Sequence, residues 1–206
     1  MKGLEKKIEA LAVDLKALTP EQIVNTQQKS REALMWLGII SMIMFFAGLT
    51  SAYVVRRGEA GSWVVIDLPY LFYYSTATIL LASALFVYSY NKLKAGELQS
   101  FKLTMLGTLA LGILFVVMQF QAYGYLVERG LYLASNNPAS SFLYILTAAH
   151  LAHLLGGLLM LLLVVVKAIR NKYSATNNHG IYVASIYWHF LGVLWVLLFL
   201  FLIFFR

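Results

Sequence analysis

Three histidines are the only side chains inside the long apolar runs of this chain with chemistry suited to proton transfer or metal binding near neutral pH: His150, His153 and His189. A fourth, His179, sits in the polar segment Asn177-Asn178-His179-Gly180 and is read as solvated. On a helix turning ~100° per residue, His150, His153 and Gly157 fall within about 60° of one another. Four readings of these imidazoles are open. A bis-histidine haem needs two rings facing each other at matching depth, and His150 and His189, in successive antiparallel runs, satisfy that on paper. A zinc or copper site wants three ligands, and the chain offers three histidines without a carboxylate. A proton relay would have to run through histidines alone. The plainest reading has neutral rings hydrogen-bonded between helices or to lipid headgroups. Gln119, Gln121, Ser41, Ser83 and Thr147 are then the partners that buried imidazoles need. A second stripe on the same run, Ala148, Ala152 and Gly156, is spaced by four, which lets another helix approach closely. The next run carries Tyr187-Trp188-His189-Phe190, with Trp195 seven residues after Trp188.

These side chains must be held by elements that live in lipid. Of 206 residues, 61% are hydrophobic and only 12% charged, and the mean hydropathy is +0.75. An average soluble domain is about 45–50% apolar and about 25% charged. A soluble enzyme, a disordered chain and a disulfide scaffold are excluded on that ground. The absence of cysteine removes disulfides, thiolate metal sites, iron–sulfur clusters and cysteine nucleophiles together. Five runs lack Asp, Glu, Lys and Arg: residues 33–55, 70–90, 103–127, 141–166 and 182–205. A helix rises ~1.5 Å per residue, so each run can cross a hydrocarbon core of about 30 Å. Backbone amides in lipid must be satisfied internally, so each run is expected to be a helix.

Lys and Arg set the expected orientation. The first 32 residues, the second loop and the fourth loop carry twelve; the first loop, the third loop and the C-terminus carry four. The positive-inside rule puts the N-terminus in the cytoplasm and the C-terminus outside. The net charge of +7 is therefore membrane topology, and no nucleic acid partner is implied. Residues 1–32 form a separate cytoplasmic extension ahead of a membrane domain over 33–206. Leu4, Ile8, Leu11, Leu15 and Leu18 make one apolar stripe on an otherwise charged helix, read as a docking face for a partner subunit or as a surface helix. Thr19-Pro20-Glu21-Gln22 predicts a new helix start, with Thr19 as N-cap and Gln22 completing a capping box. No signal peptide is expected, since the first 32 residues are polar and charged. No phosphate loop, nucleophile elbow or zinc-protease motif occurs.

The run Tyr187-Trp188-His189-Phe190-Leu191-Gly192-Val193-Leu194-Trp195 resembles the last-helix signature of subunit III of the haem–copper terminal oxidases. Thr147-Ala148-Ala149-His150-Leu151-Ala152-His153 with Gly157 is similar to the paired histidines of that family's penultimate helix. Leu111-Gly112, Phe115, Gln119 and Tyr123 match its Leu-Gly-x-x-Phe-x-x-x-Gln run. Ile40-Ser41 with Phe45-Phe46-Ala47-Gly48, then Leu68-Pro69 and Leu80-Leu81-Ala82-Ser83, also fit. The matches follow family order across residues 33–205, and length and helix number resemble the five-helix bacterial form. Three acids of the family pattern are absent, with Met42, Ala122 and Gly192 in their places, and Leu151 replaces a glycine between the paired histidines.

The resemblance implies an all-α integral membrane protein, a five-helix bundle in the bacterial inner membrane. It implies a non-catalytic subunit of a respiratory oxidase, with cytochrome c oxidase the first expectation. Such a subunit has no catalytic residue, metal or cofactor of its own. Haem and copper sit on subunits I and II, subunit I is the main contact, and phospholipid is bound in a cleft. His150, His153, Gly157, Trp188, His189, Trp195, Gln119 and Ser41 are the expected cleft-lining or helix-packing residues. Two other readings of the residues stand beside this one: a small membrane cytochrome with histidine-ligated haem, and a stand-alone transporter of a small neutral solute.

Overall fold

A computed structural model describes residues 19–59, 63, 65–133, 137–173 and 178–205; the Leu4–Leu18 stripe lies outside them. All regular structure among the described residues is helical: α1 (Pro20–Glu59), α2 (Tyr70–Lys94), α3 (Leu98–Glu128), α4 (Pro138–Ile169) and α5 (His179–Phe204). All five are long and apolar enough to cross a membrane. The chain divides into two compact units, residues 1–38 and 39–206.

In the first unit, the predicted capping box is present. The Thr19 amide donates to Gln22 Oε1 at 2.9 Å, and the Gln22 amide to Thr19 Oγ1 at 3.4 Å. These bonds satisfy amides that the start of a helix leaves without intrahelical partners.

In the second unit, local chemistry sets the helix ends. Asn137 caps α4 by accepting from the Ala139 amide at 3.1 Å, with Pro138 in the first turn. Three helices stop at a left-handed residue: Gly96 (φ 81°), Gly130 (φ 74°) and Asn171 (φ 54°). After each of these three helices a six-to-one backbone bond closes the turn, from Glu97 to Lys92, from Leu131 to Leu126 and from Lys172 to Lys167. Lys92 and Ser100 hold the Glu97 carboxyl below the usual carboxylate range, through bonds from the ammonium at 2.8 and 2.9 Å and from the hydroxyl at 3.1 Å.

Four helices close a ring. α2 packs on α3 and α5, and α4 packs on α3 and α5. The 39–59 stretch of α1 rests on α4 and α5 through Phe46 and Tyr53, which join Leu146, Leu194, Leu198 and Leu202 in one buried cluster. The far end is tied by two donors: Tyr53 Oη and Arg57 Nη1 both reach the Phe205 carbonyl, at 2.8 and 3.0 Å. Large apolar side chains such as Met44, Leu103 and Leu163 remain more than 60% exposed, as lipid-facing positions do.

Candidate functional site

Gln119, His150 and Trp195 converge on the interior of the helix ring, and antiparallel register brings them there. Tyr123 on α3 bonds Thr147 on α4 at 3.0 Å. A Cβ built on Gly112 would meet Leu158. Both pairs share one register, in which His150 stands opposite Phe120, one residue from Gln119. Across the ring, Gln119 Nε2 donates to Ser75 Oγ on α2 at 2.9 Å, and Trp195 Nε1 on α5 donates to Thr76 Oγ1 at 2.9 Å. His150 lies 5.1 Å from the Trp195 ring and 6.2 Å from the Phe115 ring. Each helix of the ring thus contributes polar side chains at one depth: Ser75 and Thr76, Gln119, His150, and the Trp195 indole.

The histidines face three different neighbours. His150 is fully buried among α3, α4 and α5. His153 turns to α1, 5.7 Å from the Phe46 ring and 6.2 Å from Phe45, and its Nδ1–H donates to the Ala149 carbonyl at 2.7 Å. A carbonyl only accepts, so that nitrogen carries the proton. His189 turns to α2, with Nδ1 3.3 Å from Ser83 Oγ and its ring 5.8 Å from Phe86. The shared helix face of His150 and His153 therefore splits between two partners. Among the described residues, no group of three His, Cys, Asp or Glu could hold a metal ion. The donor set does not fit one shared metal.

Two expectations need correction. The plain reading gave every buried imidazole a hydrogen-bond partner, but both nitrogens of His150 lack one; its neighbours there are aromatic rings, and Gln121, one of the proposed partners, is exposed. His179 is the first residue of α5 and half-buried, not a solvated loop residue.

The remaining predicted residues take several positions. Trp188 is buried, with its ring against Gly112, where an added Cβ would lie 2.8 Å from Cη2. Gly157 meets α5, since a Cβ there would lie 2.8 Å from Leu191 Cδ1. Ala148, Ala152 and Gly156 form an exposed stripe on α4, and Ser41 is exposed on α1. Two features escaped the sequence reading. Ser75 and Thr76 sit in an unremarkable Tyr-Tyr-Ser-Thr run, and only tertiary register shows their role. An apolar groove of about 510 Å³ runs between α1 and α5, lined by Ile43, Phe46, Ala47, Thr50, Val193 and Leu197 among others. Its lining consists of ordinary lipid-compatible residues, so no residue type announced it.

The family model described as cytochrome c oxidase subunit III matches residues 22–206. The chain belongs to the cytochrome c oxidase subunit III family. Curated relatives agree. A protein of Corynebacterium diphtheriae named cytochrome c oxidase subunit 3 is 32% identical over 77% of this chain and 80% of its own. One of Thermostichus vulcanus with the same name is 33% identical over 78% and 80%. One of Bacillus sp. strain PS3 is 26% identical over 93% of each. As a subunit III, the chain is a multi-pass membrane component of a terminal oxidase complex. The cytochrome and transporter readings draw no support from these comparisons. Met42, Ala122 and Gly192 are all buried. Gly192 faces α2, with a built Cβ 3.2 Å from Ser83 Oγ.

Proposed function

We propose that this chain is the non-catalytic, stabilising subunit III of a cytochrome c oxidase in a bacterial inner membrane, with its N-terminus cytoplasmic and its C-terminus outside. Haem and copper reside on its partner subunits, oxygen is reduced to water there, and subunit I is the main contact, with subunit II beside it. The Leu4–Leu18 stripe docks on another respiratory subunit. The observation that carries this reading is an interior without charge: among the described residues, the buried polar side chains are Ser, Thr, Gln and His, with no carboxylate, Lys or Arg. Proton relays in membranes are built from chains of Asp, Glu and His, and among the described residues His150 stands as a single buried member with no buried carboxylate to continue it. The names of the relatives support cytochrome c as the electron donor.

The α1–α5 groove accepts a phospholipid acyl chain, since its lining is almost wholly apolar and it opens on the lipid-facing side. Filling it with Val193→Trp lowers the phospholipid retained by the purified complex and leaves haem content unchanged; unchanged lipid retention contradicts a lipid in this groove.

The subunit assignment is tested by isolating the chain in mild detergent and identifying what accompanies it. Haem- and copper-bearing oxidase subunits are expected. His189→Ala removes the contact to Ser83 and Phe86 that joins α5 to α2. It is expected to loosen assembly while the haem of the main subunit stays nearly intact. Equal loss of haem contradicts the assignment.

A further inference from the structure

The polar layer across the helix ring is incomplete as the side chains stand. Gln119 is 1% exposed, and its Oε1 accepts no hydrogen bond, although its Nε2 is bonded to Ser75. His150 is 0% exposed, and neither ring nitrogen has a partner. The shared register of α3 and α4 sets these two residues at one depth, one residue apart from directly opposite. Leaving a buried polar atom without a partner forfeits its hydration with nothing in return, and such atoms are rare in native interiors. What the layer lacks is specific. Gln119 Oε1 needs a donor. A neutral imidazole needs an acceptor for its one N–H and a donor for its bare nitrogen. The hydroxyls of Ser75 and Thr76 already donate to the Phe72 carbonyl, and the Trp195 indole already donates to Thr76. No side chain of the layer is left to meet these needs.

We propose that this layer is a buried hydration site, occupied by water that accepts from the His150 N–H and donates to Gln119 Oε1. Water is the small molecule that donates and accepts at once, and a buried water typically makes about three hydrogen bonds to otherwise unsatisfied groups. The site joins α3 to α4 at a depth where the direct contacts run from α3 to α2 and from α5 to α2. It extends a polar chain through four helices, from α5 through α2 and α3 to α4, in a region otherwise packed with aromatic rings. The water is a structural ligand that fixes helix register, and the site is separate from the groove between α1 and α5.

The test uses the assembled complex. A map at a resolution that shows ordered solvent is expected to hold a density peak within hydrogen-bond distance of both Gln119 Oε1 and one His150 nitrogen. A dry layer overturns the proposal, as does a direct His150–Gln119 bond formed by rotation of the amide. Independently, His150→Phe, Gln119→Leu and the double variant are compared by the thermal midpoint for release of this subunit. Two residues sharing one water give coupled losses, so the double variant falls little below the lower of the two single variants. Losses that simply add overturn the proposal. Should either single variant fail to assemble, the solvent map of the unmodified complex still decides.

Discussion

At the residue scale, the interior is governed by how closely helices approach and by which polar atoms find partners. Gly112 and Gly157 are points of close approach, whereas Gly156 is open. Gly112→Ala would bring a methyl within 2.6 Å of Leu158 Cδ2 and 2.8 Å of Trp188 Cη2. Overpacking of this kind typically costs about 1–3 kcal/mol, so a lower thermal midpoint for the subunit is expected. Gly156→Ala meets only the Tyr187 hydroxyl at 3.7 Å and should leave the midpoint of the isolated chain unchanged. If both variants behave alike, the crossing of α3, α4 and α5 at Gly112 is wrong. The histidines show what sequence reading reaches and what it does not. Periodicity put His150 and His153 on one helix face, and they are one turn apart. It did not tell that one ring meets Trp195 while the other meets Phe46, because neighbours are chosen by tertiary register. Met42, Ala122 and Gly192 stood out in the sequence only by resemblance, and the fold shows all three to be buried, where an unpaired charge would be costly.

At the element scale, five helices were legible from charge-free runs, because lipid leaves the backbone few other choices. Their ends were less so. α4 begins at Pro138 and α2 runs to Lys94, beyond the uncharged runs, since helices continue into the interface until a cap or a left-handed residue stops them. The capping box at Thr19 and Gln22 was read correctly because its chemistry is local. The tie between α1 and the end of α5 was not, since Tyr53 and Phe205 are 152 residues apart. Tyr53→Phe removes one of the two donors to the Phe205 carbonyl. A net loss of about 1 kcal/mol is expected, seen as faster amide exchange in the last turn of α5. Unchanged exchange there would show that Arg57 alone holds the end. The α2–α3 turn has a pH signature. Because the folded Glu97 pKa is lowered, its contribution is present above the unfolded value, near pH 4.3–4.5, and is lost as pH falls through the folded one. Glu97→Gln should abolish any loosening of this turn on acidification that amide exchange detects; persistence of the same acid response would assign it elsewhere.

At the scale of the whole molecule, the ring of α2 to α5, with the 39–59 stretch of α1 leaning on α4 and α5, can lock itself with neutral polar contacts and still expose broad apolar faces to lipid. The proposed topology is directly accessible because the chain has no cysteine of its own. In inside-out vesicles, a charged thiol reagent added to the medium should label Gln99→Cys, exposed in the first turn of α3. It should spare Tyr132→Cys between α3 and α4, and the reverse pattern would invert the orientation. The central claim is that the buried imidazoles and indoles hold helices together and bind no redox group. It is tested most directly by a reduced-minus-oxidised absorption spectrum of this chain purified away from all companions, beside that of the intact complex. The intact complex is expected to show haem bands and the isolated chain none; a haem band from the isolated chain would contradict the account.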